Sequence, residues 1–155
     1  IIIVNLILGK KSNGKYHGAL LLEKERESVK VLNISFAEEN ENVSTASIQS
    51  QEFCEENGIN RKVSMMVGLA VEEMTEFTKT RAGSNDIFDV ILRVTPYDIT
   101  LDFRNEGAPF DPMAVTEDDG YLSITLIHSI AKKIEYGYIM GLNSTKLIID
   151  RGEKS

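Results

Sequence analysis

One carboxylate stands among apolar neighbours. Over Asn60–Thr80 the pattern predicts a helix, and at ~100° per residue its positions sort into two faces. Val63, Met66, Val67, Leu69, Ala70, Met74 and Phe77 share one face, while Arg61, Glu72, Thr75, Glu76 and Lys79 lie opposite. Glu73 falls in the middle of the apolar face, beside Met66, Ala70 and Phe77. A carboxylate there is costly unless it is paired or lines a cavity. It reads either as a pocket carboxylate that orients water or a metal-bound ligand, or as a buried Glu held by a lysine or an amide. Glu72 and Glu76 sit on the outer face and read as solvated.

Two further segments carry chemistry-bearing residues. Arg104-Asn105-Glu106-Gly107-Ala108-Pro109-Phe110-Asp111-Pro112 directly follows a strand pattern and reads as the start of a long loop to Asp119. Asn105 at the strand end could project an amide into a pocket, and Gly107 permits close backbone approach. Read alone, the run is a turn with Phe110 as its anchor. Gly120-Tyr121-Leu122-Ser123-Ile124 opens another helix, whose free N–H groups suit a phosphate. The plain alternative is a simple first turn capped by Ser123.

Composition narrows the classes. The 155 residues are the size of one domain, 42% hydrophobic and 26% charged. The net charge of −7 argues against a broad grip on nucleic acid, which needs clustered Lys and Arg. A single cysteine, Cys54, excludes an internal disulfide framework and a Cys-based zinc site. His17 and His128 are too few and too distant for a His-rich metal centre. The lack of disulfides suits a reducing compartment.

The elements that must position these residues follow from pattern and punctuation. Ser28–Phe36 alternates as a strand, and Glu38–Asn42 is an acidic loop. A first helix spans about Ser44–Asn57 with Gly58 as its stop, and the second begins at Asn60 as N-cap. Ala82–Asn85 breaks it. Residues 87–94 and 98–103 form a hairpin around Thr95-Pro96-Tyr97. Residues 120–133 form a third helix. Ile134–Ile139 and Thr145–Ile149 are strands around Gly141-Leu142-Asn143. The order implies an α+β two-layer sandwich, with a mixed, mainly antiparallel sheet and helices on one face. Met65, Met66 and Met74 read as core and dimer-face packing rather than a cofactor box.

The first residues are apolar, Ile1–Leu8 broken only by Asn5, and Lys10, Lys11 and Lys15 follow. Eight residues are too few to span a bilayer, which takes about 20. They read as a short buried strand or as the end of a membrane helix with a basic cytoplasmic flank. Residues 1–9 thus form the candidate helix end, 10–27 a linker, 28–151 the folded domain and 152–155 a polar tail.

In this order and spacing, the three chemistry-bearing segments resemble the histidine-kinase-like ATPase fold (the Bergerat or GHKL type), in its anti-sigma-factor serine-kinase branch. Gly68-Leu69-Ala70-Val71-Glu72-Glu73-Met74 is similar to the family's catalytic helix and puts the catalytic Glu on Glu73. Asn105-Glu106-Gly107 stands for the Asp-x-Gly box, followed by Pro109-Phe110-Asp111-Pro112. Gly120-Tyr121-Leu122-Ser123-Ile124, then Thr125, stands for the glycine-rich phosphate segment. The likeness implies ATP or ADP contacts at Asn105, Gly107, Gly120, Leu122, Ser123 and Thr125.

Residues 131–143 and the run Glu52–Ile59 are also similar to ATPase-like domains fused after the last membrane helix of MATE-type transporters. That likeness favours the membrane-helix reading of Ile1–Leu8. It implies a place on the cytoplasmic side of a bacterial membrane, with the transporter or another protein as partner. Relatives of the anti-sigma type often pair through the first strand and helix, which makes a homodimer a further expectation.

Departures from the family pattern set the expected activity. The Asn that would hold Mg²⁺ four residues after the Glu is Phe77, and an aromatic ring does not ligate a hard cation. Asn105 replaces the Asp that accepts the adenine amino group, and so accepts without charge assistance. Tyr121 and Ser123 replace glycines. The expected function is a degenerate ATP-binding regulatory domain with weak or absent hydrolysis and no protein metal ligand. The alternatives are an active serine/threonine kinase using Glu73 as base, or a nucleotide-free interaction module.

Overall fold

The computed structural model describes residues 28–36, 43–82, 88–114 and 121–152. The candidate membrane-helix end at 1–9, the whole of the linker at 10–27, the acidic loop and Gly120 lie outside the described residues. Among the described residues, no helix is long and apolar enough to cross a membrane.

The elements run β1 (Lys30–Ser35), α1 (Val43–Glu56), α2 (Arg61–Ala82), β2 (Phe88–Val94), β3 (Asp98–Glu106), a 3₁₀ turn (Pro112–Ala114), α3 (Tyr121–Ile130), β4 (Lys133–Ile139) and β5 (Leu142–Asp150). The five strands form one sheet in the order β1-β2-β3-β5-β4. The pairs β2–β3, β3–β5 and β4–β5 are antiparallel. This is an α+β two-layer sandwich, the architecture the element order implies.

Strand alternation builds the core. Register sets Val90 opposite Phe103 and Leu92 opposite Leu101, and continues Leu101 to Leu147 and Ile99 to Ile149. All seven are at most 2% exposed and form one apolar wall. Val63, Val67, Ala70 and Met74 of α2 and Ile127 and Ile130 of α3 belong to the same core. Each large side chain sealed this way contributes about 1.5–3 kcal/mol.

Local signals explain the ends of α1 and α2. After α1 the N–H of Ile59 returns to the carbonyl of Cys54 at 3.0 Å, and that of Gly58 to Glu55 at 3.2 Å, satisfying the last carbonyls. Asn60 is the N-cap of α2: its Oδ1 accepts from the N–H of Val63 at 2.8 Å.

The structure moves the buried face of α2. Ser64, Gly68, Val71, Thr75 and Thr78 are buried, whereas Leu69 is 38% exposed. The expected outer position of Thr75 is therefore wrong, as is the expected inner position of Leu69. At Gly68 the cover is α1. A Cβ on Gly68 would stand 3.0 Å from the Ser47 carbonyl oxygen, and Ser47 Oγ donates to the Gly68 carbonyl at 2.7 Å. A hydrophobicity projection does not see a face built from Ser, Gly and Thr.

Strand ends also differ. β3 runs to Glu106 rather than Phe103, and β5 starts at Leu142 rather than Thr145. Each extension satisfies the other, since Asn105 pairs with Asn143 and Glu106 with Leu142. The β4–β5 turn is accordingly two residues, Met140 (φ 53°) and Gly141 (φ 81°). Positive φ at both positions matches the strand twist. Helix α3 stops at Ile130, because Lys133 already pairs with Ile148 in the sheet.

Candidate functional site

The direction of α2 decides which residues can meet. Its start lies by the end of β5, where a Cβ on Gly152 would stand 2.9 Å from Asn60 Nδ2 and Val63 Cγ2. Asp150, two residues before Gly152, pairs with Asp98 at the start of β3. Farther along α2, Phe77 packs against Phe110, four residues past the end of β3, with ring centroids 6.1 Å apart. Helix α2 therefore runs alongside β3 in the same sense. Glu73 comes about 15 Å beyond Val63, toward the C-terminal half of β3 that carries Asn105.

Glu73 is half-buried rather than central to the buried face. With the α1-facing flank included, the buried arc of α2 shifts away from it, and Glu73 sits at the rim beside Met66 and Phe77. Asn105 is 5% exposed on the helix-facing side of β3. Its side-chain amide makes no hydrogen bond among the described residues. Strand β3, and not the loop, carries it.

The loop after β3 is fastened to the β4–β5 hairpin. Gly107, at φ 139°, donates its N–H to the Gly141 carbonyl at 3.0 Å and accepts from Tyr138 Oη at 2.9 Å. Asn143 Nδ2 donates to the Ala108 carbonyl at 2.9 Å, and Asn143 Oδ1 accepts from the Phe110 N–H at 2.8 Å. Tyr136 Oη accepts from the same N–H at 3.1 Å and donates to Asn143 Oδ1. The expected close approach at Gly107 thus serves the hairpin. These bonds aim Phe110 at Phe77.

No protein-family model matches this sequence, and no curated protein matches it.

The donor set does not fit Mg²⁺. One turn past Glu73 stand two packed phenyl rings, and a hard cation takes oxygen ligands. Among the described residues, no three of His, Cys, Asp and Glu lie close enough to hold a metal ion. Asn105 carries both an acceptor and a donor on its side-chain amide. In α3, the backbone at Leu122 and Ser123 is helical, but their side chains lie outside the described residues. Thr125 is exposed, and Ile124 and Ile127 turn inward.

Several residues at this end of the fold escaped the sequence reading. Asn143 is 1% exposed and Tyr136 half-buried, and both position the loop. The available signal was Asn143 itself, an amide in phase with Thr145, Leu147 and Ile149 on an inward-facing strand. On the opposite face of the sheet, Asp102 is 2% exposed, bonded to Arg104 Nε at 3.0 Å and Ser144 Oγ at 2.7 Å. That pair is satisfied internally and lies on the other side of β3 from Asn105.

Proposed function

We propose that this domain is a degenerate nucleotide-binding regulatory domain of the histidine-kinase-like ATPase type, with Glu73 in the place of the catalytic base and no Mg²⁺ ligand. The Phe77–Phe110 contact carries this reading. It fills with aromatic carbon the turn where the family pattern calls for a metal-binding amide. Support also comes from the amide of Asn105, which faces the helix layer with its hydrogen-bonding capacity unspent among the described residues. Phosphoryl transfer depends on metal-held phosphates, so hydrolysis is weak or absent. The likeness of residues 52–59 and 131–143 to transporter-fused domains supports a regulatory role at the cytoplasmic face of a bacterial membrane, with the transporter or another protein as partner.

Thermal melting with nucleotide tests this directly. A ligand that binds only the folded state stabilises by RT ln(1 + [L]/Kd). We expect millimolar ATP or ADP to raise Tm by no more than about 2 °C, equally with Mg²⁺ and with EDTA. Asn105→Ala removes whatever shift exists. A rise of many degrees that disappears with EDTA overturns the degenerate-site reading.

A further inference from the structure

The outer face of α2 carries a second pattern. Lys62, Met65, Leu69, Glu72 and Glu76 follow at spacings of three, four, three and four. That is the spacing of a coiled-coil seam, with Met65 and Leu69 as its apolar members, and it lies on the side of the helix turned away from the sheet. Met65 is 52% and Leu69 38% exposed, and Ile48 of α1 is 55% exposed. A groove of about 650 Å³ lies along Met65 and Leu69, walled by Ser47 and Gln51 of α1. Lys62 stands at one end of the apolar strip and Glu72 at the other. Among the described residues neither makes an ion pair.

The strip is complementary to itself. In an antiparallel pair related by a two-fold axis, positions equidistant from the axis on opposite sides meet. Level with Val67, Met65 and Leu69 are each two residues away, and Lys62 and Glu72 each five. Met65 then meets Leu69 of the second copy, and Lys62 meets its Glu72, each contact made twice. A parallel pairing would set Lys62 on Lys62 and Glu72 on Glu72, which repel. An acidic helix from another protein would suit Lys62 but meet Glu72 with like charge.

We propose that the chain forms a two-fold homodimer through the outer face of α2, with the helices antiparallel about Val67 and Ile48 of α1 flanking the seam. The interface leaves the Asn105 end of the fold uninvolved.

Sedimentation equilibrium of the full chain over micromolar to submillimolar concentration tests it, with thermal melting as the check on folding. All the altered residues are at least partly exposed. We expect a reversible dimer. Lys62→Glu and Glu72→Lys each weaken it about tenfold, because each reversal turns two attractive contacts into two repulsive ones. The double reversal Lys62→Glu/Glu72→Lys restores the affinity to within about threefold, since it exchanges the charges without changing their pairing. Leu69→Glu abolishes the dimer with the fold intact. A monomer at every concentration overturns the proposal. So does a dimer indifferent to the single reversals, or one that the double reversal leaves weak.

Discussion

Phe77 of α2 and Phe110 of the loop after β3 meet ring to ring, at 6.1 Å between centroids and with their planes tilted by 36°. The two are 33 residues apart in the chain, so this contact ties the loop to the helix that bears Glu73. Tilted aromatic pairs contribute beyond simple burial. Phe77→Leu, Phe110→Leu and the double variant form a cycle. We expect a coupling of about 1 kcal/mol from urea unfolding. A coupling indistinguishable from zero would show that the rings only happen to be adjacent.

Asn143→Leu should cost about 2–4 kcal/mol, although leucine keeps the branching of the side chain. The substitution leaves the Ala108 carbonyl without its donor and removes an acceptor from Tyr136 Oη and the Phe110 N–H. Chemical denaturation measures the loss. Faster proteolytic cleavage within residues 107–114 should accompany it.

Thr75→Val should stabilise. Thr75 is fully buried, and its Oγ1 has no hydrogen-bond partner among the described residues. Exchanging that hydroxyl for a methyl of similar shape removes a desolvation penalty, with an expected gain of about 1 kcal/mol. Thr78→Val, where Oγ1 likewise has no partner among the described residues, should behave the same way. A loss of stability in both would reveal a partner for these hydroxyls in solution.

Cys54 gives a pH dependence with a definite sign. Burial pushes its thiol up from 9.0 to about 12; Glu55 adds to the rise and Arg151 opposes it. The unfolded chain loses this proton near 9 and the folded chain keeps it, so the folded state binds more protons between those values. Stability is whole below about pH 9 and falls above it, by up to about 1.4 kcal/mol per pH unit. Tyrosines and lysines titrate in the same range, so the readout is the difference between wild type and Cys54→Ala. The variant should lose less stability from pH 9 to 11. At pH 8 the native thiol should resist alkylation, and identical alkylation rates in native and urea-unfolded protein would contradict the burial.

Much of the layer architecture was legible because it rests on local rules. Gly58 stops α1 and Asn60 starts α2 by chemistry contained within a few residues. The alternation Ile99, Leu101, Phe103 names its own inward face. The rest depended on partners distant in sequence. Thr75 is fully buried, and nothing in the α2 pattern announces its cover. The ends of β3 and β5 lengthen because each strand finds the other, which neither segment reveals alone. At the candidate site, Glu73 and Asn105 stand out by residue type. Asn143 and Tyr136 do not, since their importance lies in backbone groups more than twenty residues away.

Residues 107–110 are held to the hairpin by five hydrogen bonds that converge on Gly107, Ala108 and Phe110. Three of them involve Asn143 or Tyr136, which are also bonded to each other. Peeling this strap away one contact at a time would strand polar groups with no gain in chain freedom. The latch therefore releases as a unit or stays shut.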